Sequence, residues 1–187
     1  TEAVRAGFAA LKDGTDAVYA CMSIPYIAAM AHPVVGHVGL VPQKRTWNGG
    51  FRAVGKTSQE ALNIYEANLA HQEAGAFAVE MEVVPEQIAE AISKRMRMLV
   101  ISMGSGKGCD AQYLFAEDIL GTNRGHVPRH AKVYRNLVEL DRIQQERVQA
   151  FREYHADVLK GAFPDTNNTV GVKPKEYEEF LSKLPPI

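Results

Sequence analysis

The sequence has little of what marks secreted, membrane-spanning or nucleic-acid-binding proteins. Its two cysteines, Cys21 and Cys109, lie far apart and in no metal-binding spacing, so we expect reduced thiols and a cytoplasmic protein. No uninterrupted apolar run approaches the ~20 residues that a membrane helix needs, and no membrane partner is expected. The 21 basic residues are balanced by 22 acidic ones and are not clustered, so no nucleic-acid partner is expected either.

What the chain does contain is an alternation of strand-like and helix-like segments. Its 187 residues, 46% of them hydrophobic, suffice for one domain with a real core. Four short apolar segments read as strands: Asp16–Cys21, Val34–Leu40, Phe77–Val83 and Met98–Met103. Helical periodicity predicts helices at Glu2–Lys12, Ile24–Ala31, Ser58–Glu73 and after Pro85. This order predicts an α/β protein with a parallel sheet, either doubly wound or a barrel.

After Asp110 the pattern becomes mostly helical. Residues Val133–Leu159 carry apolar side chains at three- and four-residue steps, and Lys175–Leu184 reads as a short amphipathic helix. Between the second strand and the third helix, residues Val41–Lys56 read as a long loop, which in a compact domain is often functional.

Glu80 and Glu82 are the residues most suggestive of chemistry. They share one face of a predicted strand, although strands of parallel sheets are normally apolar on both faces. Two such carboxylates need compensation, either at a functional site or through an exposed edge strand or a buried ion pair. Glu82 is the better catalytic candidate, because it lies next to the carboxyl end of its strand, where barrels and open α/β sheets place catalytic groups.

His37 also lies near a strand's carboxyl end, between Gly36 and Gly39. It could line a ligand site, or it could be a hydrogen-bonded core histidine. The glycine-rich segment Gly104–Gly108 matches neither the GxxxxGK[ST] nor the GxGxxG phosphate-binding pattern, so it is predicted to be a tight turn.

Several segments together resemble the ketopantoate hydroxymethyltransferase family. Residues Gly36–Gln43 resemble its GHxGLxPQ segment, and Gly49–Gly55 resemble the GG[FY]xxxG loop. Glu73–Ala76 and Glu82–Pro85 resemble the EAGA…LExVP block. Downstream, Gly104–Gly106, Asp110–Gln112 and Asp118–Gly121 resemble the GxG…DGQ…HDxxG series. The motifs occur in register from about Thr1 to Phe163.

The resemblance implies a (β/α)₈ TIM-type barrel that transfers a hydroxymethyl group from 5,10-methylenetetrahydrofolate to the small 2-oxo acid 3-methyl-2-oxobutanoate, in pantothenate synthesis. It implies that Glu82 is the base that removes the proton next to the ketone, with bound Mg²⁺ stabilising the enolate. His37 and Tyr19 fall at substrate-binding positions. The resemblance also implies a homo-oligomer.

The chain departs from the family pattern at the metal site. The family's fourth strand carries a substrate-binding lysine and a metal-binding glutamate, and their places hold Tyr19 and Cys21, which are not natural Mg²⁺ ligands. No residue is therefore assigned to the metal or to the folate. Glu80 is an acid beyond the family pattern.

We therefore expect residues 1–163 to be the C-terminal part of a barrel and residues 164–187 an extension with a short helix. The three strands that precede in the family lie outside this chain, so activity of the chain alone is doubtful. Two alternatives stay open. One is a lyase or mutase of the wider barrel superfamily, and the other is a non-catalytic paralogue with a structural role.

Overall fold

The computed structural model describes residues 2–20, 33–123, 125–137 and 143–185. Its strands are β1 (Val18–Tyr19), β2 (Val34–Gly39), β3 (Ala78–Glu82), β4 (Leu99–Met103) and β5 (Ala111–Gln112). Its helices are α1 (Glu2–Lys12), α2 (Ser58–Glu73), α3 (Glu86–Ser93), α4 (Ala116–Leu120), α5 (Gln144–Lys160) and α6 (Pro174–Ser182). A 3₁₀ turn covers Pro42–Lys44.

The five strands form one parallel sheet in the order in which they occur along the chain, β1 to β5. The predicted α/β class is therefore confirmed. The strands that carry or end at Tyr19, His37, Glu82 and Met103 are adjacent and parallel, as predicted. Because parallel strands all end at the same edge, this topology gathers four separate segments of sequence at one end of the sheet.

The main core forms where α2, α3 and α6 pack with the sheet. Val79 and Met81 of β3 are fully buried, as are Ile88 and Ile92 of α3. Phe180 of α6 is also fully buried in this cluster, so the short C-terminal helix belongs to the same core. Burial of such side chains contributes roughly 1.5–3 kcal/mol each.

Local signals account for some of the helix boundaries. The Thr57 hydroxyl accepts a hydrogen bond from the Glu60 backbone N–H at 3.2 Å and so caps α2. Helix α5 ends at Gly161, whose φ of 67° is the left-handed conformation that favours glycine.

Two expectations after Asp110 were wrong. Ala111–Gln112 pairs in parallel with β4, so a fifth strand lies where the sequence suggested mostly helix. Residues 133–137 are also non-helical, and α5 begins only at Gln144. The segment is held instead by hydrogen bonds of Tyr134 and Leu137 backbone N–H groups to the carbonyls of Ile119 and Leu120. The helix predicted at Ile24–Ala31 lies outside the described residues.

The carboxyl end of β3 is held by backbone hydrogen bonds from both sides, to the residue after β2 and to the end of β4. The Glu82 carbonyl accepts a hydrogen bond from Leu40 N–H at 2.8 Å, and Val83 N–H donates to the Met103 carbonyl at 2.8 Å. Val83 has a φ of 50°, a conformation that costs a β-branched residue roughly 1–3 kcal/mol. Favourable interactions of the surrounding residues must offset that cost.

Ser105 is one of those surrounding residues. Its buried hydroxyl donates to the Met81 carbonyl at 2.7 Å and accepts from Val84 N–H at 3.0 Å. The glycine-rich turn after β4 is therefore a structural support for the end of β3.

We predict that Ser105→Ala destabilises the complete protein by about 1–3 kcal/mol, because it leaves buried backbone groups of Met81 and Val84 unpaired. Urea unfolding at neutral pH measures the change. Ser182→Ala is the matched control, since its exposed hydroxyl bonds only the Glu179 carbonyl and its loss is expected to stay within ~0.5 kcal/mol. Equal effects of the two substitutions would contradict the support that we assign to Ser105.

Candidate active site

A pocket of about 270 Å³ opens at the carboxyl ends of the strands. It brings together the three residues to which the sequence assigned a catalytic or substrate-binding role: Tyr19 from β1, His37 from β2 and Glu82 from β3. The remaining lining residues come from the loop after β2, from β3 and β4, and from the segment after β5. They are Pro42, Gln43, Glu80, Met103, Tyr113 and Phe115.

Glu82 and His37 form a close polar contact in the pocket. Glu82 Oε2 lies 2.9 Å from His37 Nε2, and the exposed fractions of the two side chains are only 12% and 3%. Because an ionised carboxylate can only accept, the imidazole N–H donates. The hydrogen bond fixes the orientation of the carboxylate at the pocket wall.

Glu80 lies directly beside His37, as the strand register requires. The two residues are paired across β2 and β3, and Glu80 Oε1 lies 3.6 Å from His37 Nε2. Burial raises the pKa of Glu80 above its ordinary value of 4.5, and only in part do His37 and a hydrogen bond from Tyr19 oppose that shift. The Tyr19 ring also packs against the imidazole, with centroids 5.7 Å apart.

This arrangement answers the question that the two carboxylates raised. Glu80 and Glu82 face the interior of a pocket and do not lie on an exposed edge. Among the described residues, the ion pairs of both are with His37 and none is with a lysine or arginine. The site therefore holds two acids of different surroundings, a pattern suited to proton transfer.

The same three side chains could hold a metal ion. One ligand atom from each of His37, Glu80 and Glu82 lies within 4.8 Å of the others. The sequence alone assigned no metal ligand, because Tyr19 and Cys21 occupy the places of the family's lysine and metal-binding glutamate. Only the strand pairing reveals that His37 lies beside Glu80 and Glu82. Tyr19 is near the site, whereas Cys21 lies outside the described residues.

A second, larger cavity of about 540 Å³ adjoins the first. The two cavities share Glu82, Met103 and Phe115. Basic side chains line the second one: Arg52, Lys56, His126, Arg129 and His130. Burial lowers the pKa of His130, against the opposing attraction of Glu82 and Asp118. Glu82 thus stands between a small acidic pocket and a larger basic one.

Sequence reasoning missed the wall that the segment after β5 forms. Tyr113 and Phe115 line the first pocket, and burial raises the pKa of Tyr113. Their only available signal was Asp110–Gln112, which matched a family motif but is too short for a strand pattern. His130 lies in a loop without helical or strand periodicity, so the sequence did not predict that it lines the larger cavity.

We predict that Glu80→Gln raises the stability of the metal-free protein at pH 7. A raised pKa means that protonated Glu80 stabilises the fold below pH 4.5, and this contribution is lost as the pH rises through the folded-state pKa. Glutamine stays neutral throughout, so the advantage of the variant should shrink as the pH falls below 4.5. Urea unfolding between pH 4 and 8, with a chelator present, measures it. Glu117→Gln, an exposed acid, should show no such trend.

No helix in the described part of the chain has the length and apolar character that crossing a membrane requires.

Comparison with known proteins agrees with the resemblance. The profile of the ketopantoate hydroxymethyltransferase family matches residues 2–166. The chain is 39% identical over 150 residues to 3-methyl-2-oxobutanoate hydroxymethyltransferase 1 of Methylibium petroleiphilum, covering 80% of this chain and 49% of the relative. It is 35% identical over 192 residues to 3-methyl-2-oxobutanoate hydroxymethyltransferase of Deinococcus radiodurans, covering 98% of this chain and 64% of the relative.

The enzyme of that name from Nitratidesulfovibrio vulgaris strain DP4 is 34% identical over 164 residues, covering 86% of this chain and 52% of the relative. The chain thus spans about half to two thirds of the length of these curated relatives. The family match extends over most of the chain, from α1 to beyond α5, and includes every strand of the sheet. This chain belongs to the ketopantoate hydroxymethyltransferase family.

Proposed function

We propose that the complete protein transfers a hydroxymethyl group from 5,10-methylenetetrahydrofolate to 3-methyl-2-oxobutanoate, and that Glu82 is its general base. The observation that carries this proposal is the partly buried Glu82–His37 hydrogen bond at a pocket mouth formed by parallel strand ends. Curated relatives of the chain are named 3-methyl-2-oxobutanoate hydroxymethyltransferase, which supports the proposal. We expect the five strands to be part of a closed (β/α)₈ barrel.

The reaction begins with loss of a proton from the carbon next to the ketone. Glu82 takes that proton, and the electron pair moves onto the keto oxygen to give the enolate. His37 holds the Glu82 carboxylate in one orientation, so the base need not reorganise when the substrate arrives. Water cleaves the two C–N bonds of the donor's methylene bridge, so that tetrahydrofolate leaves and the one-carbon unit is released as formaldehyde. The enolate carbon adds to the formaldehyde carbon, and the resulting alkoxide takes the proton held by Glu82 to give the hydroxymethyl group.

The Mg²⁺ site of the family does not fit the residues of this chain. Tyr19 stands where the family has a lysine, and Cys21 stands where it has a metal-binding glutamate. Magnesium requires hard oxygen ligands in near-octahedral geometry, which a thiol does not provide. No step is therefore assigned to Mg²⁺ here.

The larger cavity suits the folate donor. Its volume of about 540 Å³ lies in the usual range of ~300–1,000 Å³ for ligand pockets. Phe51, Phe115 and Met103 offer apolar surface for the pterin, and Lys56 and Arg129 offer cations for the anionic glutamate tail. A donor there would meet the substrate at Glu82, which both cavities share.

We predict that Glu82→Gln lowers the rate of deuterium exchange into 3-methyl-2-oxobutanoate by at least ~10²-fold, because the amide cannot accept the proton. Proton NMR of the substrate in D₂O with the complete protein and Mg²⁺ measures the exchange, and no folate is needed. Glu117→Gln is the matched control and should exchange at the wild-type rate, since its carboxylate lies outside both cavities.

The wild-type protein separates the alternatives. Exchange without hydroxymethyl transfer would favour a lyase or mutase that shares only the enolate. Absence of exchange in the complete wild-type protein would favour the non-catalytic paralogue, an outcome that the replacement of the family lysine by Tyr19 makes worth testing.

We predict that Lys56→Ala raises the KM for 5,10-methylenetetrahydrofolate severalfold and leaves folate-free deuterium exchange unchanged. Of the two cavities, the lysine lines the larger one and not the smaller one, so its loss removes attraction for the donor and not for the 2-oxo acid. Steady-state kinetics with varied folate measures the effect. Lys94→Ala is the control, because that lysine pairs with Glu90 on the exposed side of α3. A slower exchange in Lys56→Ala would contradict the separation of the two cavities.

A further inference from the structure

The geometry points to a site for one borderline transition-metal dication, such as Zn²⁺ or Co²⁺, formed by His37 Nε2 and one carboxylate oxygen each of Glu80 and Glu82. The inference goes beyond the proposed function, which assigns Glu82 to proton transfer, His37 to orienting the Glu82 carboxylate, and no role to Glu80. In the metal-bound form the ion would take the place of the proton between His37 Nε2 and Glu82 and would itself hold the carboxylate.

The spacing of the ligand atoms suits such an ion. A tetrahedral metal with bonds of ~2.0–2.1 Å holds its ligand atoms roughly 3.3 Å apart. His37 Nε2 lies 2.9 Å from Glu82 Oε2 and 3.6 Å from Glu80 Oε1, on either side of that value. All three ligand atoms lie within 4.8 Å of one another, so small rotations of the two carboxylates would complete the set.

The backbone positions the ligands in advance. His37 and Glu80 are direct partners in the register of β2 and β3, and Glu82 follows two residues later on the same face. Glu82 is held further by the hydrogen bond of its carbonyl to Leu40 N–H. Two strands of a buried sheet therefore present three ligands without help from a loop, the rigid support that a metal site needs.

Charge favours a dication at this point. Two carboxylates and one imidazole converge, while no lysine or arginine of the described chain pairs with either acid. Buried carboxylates are retained in proteins where they are paired or bind a metal. A divalent cation would neutralise both, which His37 alone does not achieve.

The residues around the three ligands would orient them and leave the metal accessible from the pocket. The Tyr19 side chain hydrogen-bonds Glu80, the kind of outer contact that orients a ligating carboxylate. The three ligands face a pocket of about 270 Å³, so further positions on the metal would stay accessible to water or to a keto oxygen.

The ligand set also discriminates between metals. One imidazole with two carboxylates suits zinc, cobalt and manganese, whereas Mg²⁺ prefers oxygen ligands alone. Glu82 would bind through the oxygen that now faces His37 and would keep its other oxygen directed to the pocket. The metal and the proton acceptor could then coexist on one side chain.

The test is metal binding by the complete protein without substrate. The protein is stripped of metal with a chelator and titrated with Zn²⁺ by calorimetry, in the presence of a roughly 10²-fold molar excess of Mg²⁺ over protein. A second sample of the stripped protein is titrated with Co²⁺, and binding is followed by the visible absorption of the cobalt ion. We expect Glu80→Gln and His37→Gln each to weaken binding at least ~10-fold. Glu117→Gln and His155→Gln, an exposed acid and an exposed histidine, are the matched controls and should bind as the wild type does.

X-ray absorption at the zinc edge keeps the proposal testable should the ligand variants fail to fold. The wild-type protein should show one imidazole with oxygen ligands at about 2.0–2.2 Å. Sulfur ligation, several imidazoles, or unchanged binding in both ligand variants would overturn the site. Binding is measured apart from deuterium exchange, so a protein that exchanges substrate hydrogen but binds no zinc refutes the metal site alone, and the reverse result refutes the proposed function alone.

Discussion

The arrangement of the pocket depends on one constraint, the burial of two carboxylates at the end of a parallel strand. Glu80 and Glu82 project from the same face of β3, where apolar side chains are the rule. Their charge cannot be left uncompensated in a water-poor interior. The register places His37 beside Glu80 and within hydrogen-bonding distance of Glu82, and β1 adds the Tyr19 hydroxyl. The parallel pairing of β1, β2 and β3 thus brings together the polar groups that stabilise the two carboxylates.

The backbone around Glu82 is held to the same purpose. An added Cβ on Gly39 would lie 2.3 Å from the Glu82 carbonyl oxygen, so the two strands approach as closely as glycine allows. The left-handed Val83 then turns the chain away, and Ser105 satisfies the groups on either side of it. Strain next to a catalytic candidate is typical of a site whose geometry is fixed before the ligand arrives. The family motifs that contain Gly39 and Ser105 therefore carry structural duties as well as any chemical one.

Sequence reasoning reached the strands, the order in which they pair and the residues at their ends. It succeeded because buried parallel strands are continuous apolar runs, so polar residues such as His37 and Glu82 stand out within them. It failed at β5, where two residues give no periodicity, and at residues 133–137, where apolar spacing suggested a helix but backbone hydrogen bonds to α4 hold an extended path. Tyr113 and Phe115 were missed for the same reason. The convergence of Glu80 with His37 could not be read either, because register between strands 40 residues apart is a tertiary property.

The substitutions that set this chain apart from the family pattern change the charge of the pocket. The family pattern has a lysine at the position of Tyr19, and it has no acidic residue at the position of Glu80. Relative to that pattern, Tyr19 replaces a cation, Cys21 replaces an anion and Glu80 adds an anion, so the net change is one negative charge. The hydroxyl of Tyr19 bonds the added carboxylate, so the two changes are in direct contact. A phenol can orient Glu80 but cannot neutralise it, and His37 is shared with Glu82. The family's metal-binding glutamate is absent from its place, but His37, Glu80 and Glu82 together supply the nitrogen and oxygen ligands that a cation in this pocket would need.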